Sequence, residues 1–321
     1  MLAVTAPRNA VFAVSGMHRS GTSFVASVLP ALGVSLGDGT RLMRAGPDNP
    51  AGYFEVQAML ELNEELLARL GGAWDAPPRL DPGWETAAAL DDLRARAARV
   101  VDEQFGAGAE RPPLIAFKDP RLSLLLPFWQ SVVPIATTVV LVRDPREVAA
   151  SLEVRNYSVP RPQAAGLWLR YVLAACANDP GHLIVRYSDV FDALPETLGR
   201  IAAHLGVAPP DDAALALARD QLEPSLRHQD ARCGNEAEPA DPLTALAAAV
   251  WADGALDLDL VPSIVADALA RGWLSPALDN DLLARARADV IAARETLRQR
   301  NRQLAALTSQ DEQPVSRRQQ N

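Results

Sequence analysis

The apolar run Val11-Phe12-Ala13-Val14 ends on Ser15-Gly16. A glycine-bounded turn, Gly16-Met17-His18-Arg19-Ser20-Gly21-Thr22-Ser23, then leads into Phe24 to Leu32, which has helical spacing and Gly33 as its stop. A short apolar run closed by glycine reads as a buried strand. Strand, glycine turn and helix in immediate succession leave few folds open. The unit belongs in a parallel sheet covered by helices, and its turn has the form of a phosphate-cradling loop.

The rest of the chain extends this pattern. Apolar runs predict further strands at Leu114 to Phe117, Thr137 to Val142 and Leu183 to Tyr187. Helical patterns lie between them, among them Val56 to Leu70 and Ala87 to Phe105, while residues 37–52 and 71–84 are rich in Gly and Pro and read as loops. Asp119-Pro120-Arg121 follows the second strand and Asp144-Pro145-Arg146 the third. Aspartate as N-cap with proline at the first helical position starts a helix well. Both turns therefore fall at the carboxyl edge of the sheet, where open α/β sheets bind ligands. The expected fold is α/β, a P-loop-type parallel sheet flanked by helices over residues 1–235, with a helical extension over 236–321. In that extension Leu283, Val290, Leu297 and Leu304 recur every seven residues, which suits either a short coiled coil joining copies of the chain or an amphipathic helix lying on its own domain. A frayed polar tail ends it.

Composition narrows the function. With 49% hydrophobic and 22% charged residues over 321 positions, the chain is globular rather than disordered. A net charge of −9 speaks against nucleic acid or an anionic membrane as partner, though not against a small anion held by a local cationic cluster. No apolar run reaches the ~20 residues of a membrane span and the start lacks a leader pattern, so a cytoplasmic protein is expected. Cys176 and Cys233, with four scattered histidines, offer no metal-ligand spacing; Cys176 and Cys233 read as a buried thiol and an incidental one. One feature stands out. Lys118 is the single lysine among 31 basic residues, a compact ammonium in an arginine background at the end of an apolar strand.

The glycine spacing of the loop matches a Walker A motif, but Thr22 stands where that motif has lysine. The positive charge sits inside the loop instead, at Arg19. A phosphate-type anion can rest on the loop amides, yet its ligand should differ from an ordinary nucleoside triphosphate.

The segment Arg19-Ser20-Gly21-Thr22-Ser23 resembles the 5′-phosphosulfate loop of sulfotransferases that use 3′-phosphoadenosine 5′-phosphosulfate (PAPS). The second signature of that family is an arginine at a strand end with a serine eight residues on. Arg143 and Ser151, in Leu141-Val142-Arg143-Asp144-Pro145-Arg146-Glu147-Val148-Ala149-Ala150-Ser151, have this spacing. An arginine leaving the strand and a serine two turns into the next helix can reach one phosphate. Further similarities are Lys118-Asp119-Pro120-Arg121, Arg186-Tyr187-Ser188-Asp189 and Pro224-Ser225-Leu226-Arg227-His228, and together they span roughly residues 10–230.

The resemblance implies an enzyme moving a sulfuryl group in line from PAPS to a hydroxyl of a carbohydrate, lipid or small metabolite, with no metal. It implies that Arg19 and Lys118 are cations at the sulfuryl group, and that Ser20, Gly21, Thr22 and Ser23 cradle the 5′-phosphate. Arg143 and Ser151 then hold the 3′-phosphate, and Tyr187 lies near the adenine. The chain departs from the family in places. Pro120 occupies the position of the base histidine of animal members, so Glu55, in Gly52-Tyr53-Phe54-Glu55, becomes the first choice of general base. First-turn helix charge is its plain alternative; Asp119 and His18 are the other candidates. No Arg-Lys-Gly segment follows, which leaves Arg227 to complete the 3′-phosphate grip. Loops 37–52, 71–86 and 155–163 would form the acceptor pocket. Two other classes remain: a P-loop kinase, and a non-catalytic scaffold acting through its C-terminal helix.

Overall fold

The computed structural model describes residues 10–222 apart from 47–48, 50–51, 79, 155–158 and 160, together with five positions between 244 and 251. The expected extension and its heptads, Arg227 and Cys233 lie outside the described residues. Four strands form one parallel sheet: β1 (Ala10–Gly16), β2 (Leu114–Lys118), β3 (Ile135–Val142) and β4 (Leu183–Arg186), in the order β2-β1-β3-β4. The first strand is therefore central. Parallel neighbours need crossover connections; among the described residues nine helices flank the sheet, of which the first six lie between strands and the last three follow β4. The nine are α1 (Thr22–Val28), α2 (Gln57–Arg69), α3 (Asp91–Phe105), α4 (Leu122–Gln130), α5 (Pro145–Val154), α6 (Arg161–Asn178), α7 (Tyr187–Asp192), α8 (Leu194–Leu205) and α9 (Asp212–Gln221).

The continuous apolar strands are divided between two cores by the two-residue period of the pleat. Val11, Ala13, Ile115, Phe117, Val140 and Val142 face one side and pack with α2 to α6. Phe12, Val14, Ala116, Val139 and Leu141 face the other and pack with α1, α8 and the buried edge of α9. Register brings the three strand ends together: Val14 pairs with Lys118 and Gly16 with Leu141. The carboxyl ends of β1, β2 and β3 thus open onto one edge, as the paired Asp-Pro-Arg turns predict. Of those turns, Asp144 behaves as expected: its carboxylate accepts from the Arg146 amide at 2.8 Å, and α5 starts at Pro145. Asp119 instead caps a turn. Its carboxylate accepts from the Arg121 amide at 2.9 Å, and α4 begins only at Leu122.

Smaller differences have local causes. The helix after the loop starts at Thr22 and tightens into a 3₁₀ turn over Leu29–Leu32 before Gly33, where Pro30 enters. The helix expected from Ala87 likewise begins with a 3₁₀ turn, Ala88–Leu90. Tyr187, read as the end of a strand, opens α7. Cys176 is a buried thiol, its pKa pushed up to about 12 by desolvation. Among the described residues no helix is long and apolar enough to cross a membrane.

Of the described glycines, Gly16 makes the tightest approach to neighbouring backbone. Its φ is +139°, and a Cβ there would stand 2.2 Å from the Leu141 carbonyl oxygen. Gly33 shares a positive φ, +78°, but has open space around it. We expect Gly16→Ala to cost about 2–5 kcal/mol, strain plus overpacking, and Gly33→Ala about 1–2 kcal/mol, strain alone. Urea denaturation of the two variants checks the ordering; equal losses would refute it.

Candidate active site

Two groups of side chains, one on each side of the Gly16–Ser23 loop, occupy the carboxyl edge of the sheet. The loop itself is strained. Arg19 has φ 70° and Gly21 φ 88°, while Ser20 between them does not, so the sign of φ alternates along the loop. Such alternation turns successive amides toward a common concavity suited to an anion. A non-glycine residue at positive φ costs about 1–2 kcal/mol, and contacts from β3 and α5 hold Arg19 there. Arg143 Nη1 donates to the Arg19 carbonyl at 3.2 Å, and Arg19 Nε donates to Ser151 Oγ at 2.8 Å. The Gly16 amide donates to Ser123 Oγ at 3.0 Å, anchoring the start of the loop to α4. Ser20 is wholly buried, and its Oγ has no hydrogen-bond partner among the described residues.

The first group surrounds Arg143. Its guanidinium lies over the Tyr187 ring, 4.2 Å from the centroid, and Nε donates to Glu147 Oε2 at 2.7 Å. The Trp168 indole donates to the Arg143 carbonyl at 2.8 Å, fixing the strand end. Tyr187 also lies beneath the loop: a Cβ on Gly21 would come within 2.5 Å of its Cδ2. The structure therefore brings together Arg19, Gly21, Arg143, Ser151 and Tyr187, five of the expected site residues, from four separate elements.

The second group surrounds Lys118. Alternation along β2 turns Lys118 to the α1 side, where Nζ meets Ser23 Oγ at 3.3 Å and the Tyr53 carbonyl at 3.0 Å. Nζ also pairs with Glu55 Oε1 at 2.5 Å; both residues are buried, at 4% and 6% exposure. Burial pushes the Glu55 carboxyl above its ordinary range, with the Lys118 charge opposing that shift. The second oxygen, Oε2, stands 4.0 Å from Arg121 Nη1, beyond hydrogen-bond reach. Asp119 points elsewhere and is engaged on both oxygens, by Arg121 Nη1 at 3.0 Å and by Asn63 Nδ2 at 2.9 Å. His18, the third base candidate, packs its ring against Trp74 and Tyr171, with centroids 4.8 and 5.6 Å apart.

Several residues of this cluster escape a reading of motifs. Asn49 donates to Ser23 Oγ at 3.1 Å from within a loop, and Tyr53 acts through its carbonyl, which no side-chain pattern announces. Asn63 had a legible signal: it sits four residues after Met59 and one after Leu62, on the apolar face of α2, where a polar residue must find a buried partner. That partner set is Asp119 and the Trp129 indole, which donates to Asn63 Oδ1 at 2.8 Å.

The Lys118–Glu55 pair generates a stability prediction. Removing one partner of a buried ion pair costs about 3–5 kcal/mol because the other charge is stranded. We expect Lys118→Met to lose that much at pH 7 and Glu55→Gln in the same chain to recover most of it. Without Lys118, the Glu55 pKa rises further, so the folded state binds that proton more tightly than the unfolded state. The deficit should then shrink as pH falls from 7 toward the ordinary value of 4.5. Urea titrations at several pH values read the effect; a deficit independent of pH would contradict it.

A model of the sulfotransferase family matches residues 11–211, more than half of the 321-residue chain. Among solved structures, the chain is similar to the sulfotransferase domain of an olefin synthase from Synechococcus PCC 7002, with 20% identity over 82% of this chain and 96% of that one and a TM-score of 0.41. It is also similar to sulfotransferases from Mycobacterium avium, at 15% identity over 83% of this chain and 77% of that one with a TM-score of 0.41, and from Mycobacterium tuberculosis, at 16% identity over 67% and 72% with a TM-score of 0.40. No curated protein matches the chain. From the start of β1 to the residue that caps α9, then, the chain belongs to the sulfotransferase family.

Proposed function

We propose that this sulfotransferase takes PAPS as donor and transfers its sulfuryl group to an acceptor hydroxyl on a carbohydrate, lipid or small metabolite, as a cytoplasmic enzyme. The observation that carries the reading is the meeting of two sequence signatures 132 residues apart. Arg19 of the loop touches Ser151, and Arg143 touches the Arg19 carbonyl. A donor with phosphates at both ends of one ribose needs two anion sites side by side, and the nearness of Arg143 and Ser151 to the loop supports such a pair. The unpartnered Ser20 hydroxyl, wholly buried inside the loop, fits an anion that supplies the missing acceptor.

Each residue then has a role. The amides of residues 20–23 and the hydroxyls of Ser20, Thr22 and Ser23 hold the 5′-phosphate. Arg143 and Ser151 hold the 3′-phosphate, with Arg227 as a further contact, and Tyr187 supports both Arg143 and the adenine. Sulfuryl transfer is an in-line displacement. The acceptor oxygen forms a bond to sulfur, the bond from sulfur to the bridging phosphate oxygen breaks, and the electron pair stays on the departing 5′-phosphate. The acceptor proton goes to Glu55, whose Oε2 is unengaged at hydrogen-bond distance. Arg19 and Lys118 are the fixed cations facing the developing charge, each worth roughly 3 kcal/mol by comparison with other preorganised donors. Lys118 is suited to that task because it bridges Ser23 of the loop and Glu55.

Calorimetry with 3′-phosphoadenosine 5′-phosphate, the desulfated donor, tests the assignment. Arg143→Ala should weaken binding by about 10–100-fold and Ser151→Ala by about 5-fold, the ranges for a charged and a neutral hydrogen bond. Glu55→Gln should bind the nucleotide normally and lose turnover of radiolabelled donor. Unchanged affinity in both nucleotide-site variants would remove the 3′-phosphate assignment, and full activity of Glu55→Gln would remove the base.

A further inference from the structure

Behind the Lys118–Glu55 pair, a chain of hydrogen bonds runs from the core of the protein to the edge of the site. It starts at the Trp129 indole on α4, buried completely, which donates to Asn63 Oδ1 at 2.8 Å. Asn63, also wholly buried, donates Nδ2 to Asp119 Oδ2 at 2.9 Å. Asp119 Oδ1 accepts from the Arg121 amide at 2.9 Å and from Arg121 Nη1 at 3.0 Å. From the opposite side Arg121 Nε donates to Glu64 Oε1 at 2.6 Å, and Nη2 pairs with the same oxygen. The guanidinium is thus clamped between a carboxylate of the β2–α4 turn and one of α2. Its Nη1 stops 4.0 Å short of Glu55 Oε2.

This arrangement runs against the simplest electrostatics. A buried arginine beside a buried carboxylate should close into a two-toothed ion pair, the strongest geometry open to it. The missing distance is about 1 Å, less than a side-chain rotamer change. What prevents closure is the second carboxylate, Asp119, which is itself unable to turn. Both of its oxygens are committed, and the amide that holds it is locked by an indole. Asparagine orients here with no freedom, because its carbonyl must face Trp129 and its NH₂ must face Asp119.

We propose that Asp119, anchored by Asn63 and Trp129, is a positioning residue that withholds Arg121 from Glu55 and so keeps Oε2 open for the acceptor proton. The inference rests on the reading of Glu55 as general base. It assigns Asp119 a part other than that of base, and it makes Asn63 and Trp129, more distant still, members of the same device. The charged and titratable groups facing Glu55 and Arg121 are Lys118 from β2, Asp119 from the turn, Glu64 from α2 and Tyr171 from α6. Lys118 and Arg121 are the cations here, set against the carboxylates of Glu55, Asp119 and Glu64. Asp119 also acts on Glu55 directly, since its negative charge opposes ionisation of a neighbouring carboxyl.

Asp119→Asn removes that charge and releases Arg121 toward Oε2. Both changes favour the Glu55 carboxylate, so its titration should move to lower pH by roughly one unit. Trp129→Phe keeps the aromatic packing but frees Asn63, and should move it the same way by less. The readout is the Glu55 side-chain carboxyl resonance in ¹³C NMR of the full-length protein, assigned by its absence in Glu55→Gln, with the acid limb of the kcat profile beside it. In both variants the donor KM should stay the same, and the plateau kcat should fall a few-fold because a weaker base remains. A Glu55 titration that stays in place or moves upward in both variants overturns the proposal, whatever the activity. A downward shift with Glu55→Gln still active would leave the clamp standing and sink the base reading instead. Loss of all turnover in folded Asp119→Asn, with Glu55→Gln active, would make Asp119 the base and end both.

Discussion

The buried ion pair of Lys118 and Glu55 is the interaction to which the second half of the site is tied. Two charges taken out of water are costly, with several kcal/mol per ion lost even after relaxation. Such a pair persists only where the remaining donors and acceptors are satisfied. Lys118 spends its other contacts on the Tyr53 carbonyl and Ser23 Oγ, and through them joins the 52–55 segment to the loop. One ammonium therefore connects β2, the first turn of α1 and the approach to α2. The solitary lysine of the chain stands where a planar guanidinium could not serve three such partners from one nitrogen.

The other half of the site is organised by close packing around Tyr187. The ring lies under Gly21 and under the Arg143 guanidinium, so the loop, β3 and the start of α7 share one surface. Gly21 is needed there twice, for its positive φ and for the absence of a Cβ. The two halves meet in the loop itself, whose strained Arg19 is held by Arg143 and Ser151 on one side and whose Ser23 is held by Lys118 and Asn49 on the other. A loop gripped from both sides is held in one arrangement.

Much of this was legible beforehand, for identifiable reasons. The strands were readable because a strand buried on both faces is a continuous apolar run: β1, β2 and the second half of β3 are of that kind, and the edge strand β4, only partly buried, keeps the apolar run Leu183-Ile184-Val185. The glycine loop and the Arg143–Ser151 spacing were readable as patterns of local order along the chain, and the structure brings Arg143 and Ser151 to Arg19 of that loop. Asp119 was half readable: its type suited a cap, but the turn before α4 and the bond to Asn63 change what it caps and what it holds. Asn63 carried a signal as a polar residue on an apolar helix face, but its meeting with Trp129 and, through Asp119, with Arg121 was not readable, because the members come from α2, α4 and the turn between β2 and α4 and share no motif.

The order of residues alone determined the sheet class, the loop and the two turns at its edge, since periodicity and turn chemistry act over a few residues. Membership of the sulfotransferase family follows from the same linear pattern. Only the tertiary structure decided which charges meet. Register set Lys118 beside Val14, the face of β2 turned it to Ser23, and the approach of α2 delivered Glu55 to it and Asn63 to Asp119. Hydrogen bonds and ion pairs act over about 3–4 Å, so partners 50 to 130 residues apart are chosen by how the layers pack and by nothing that adjacent residues can specify.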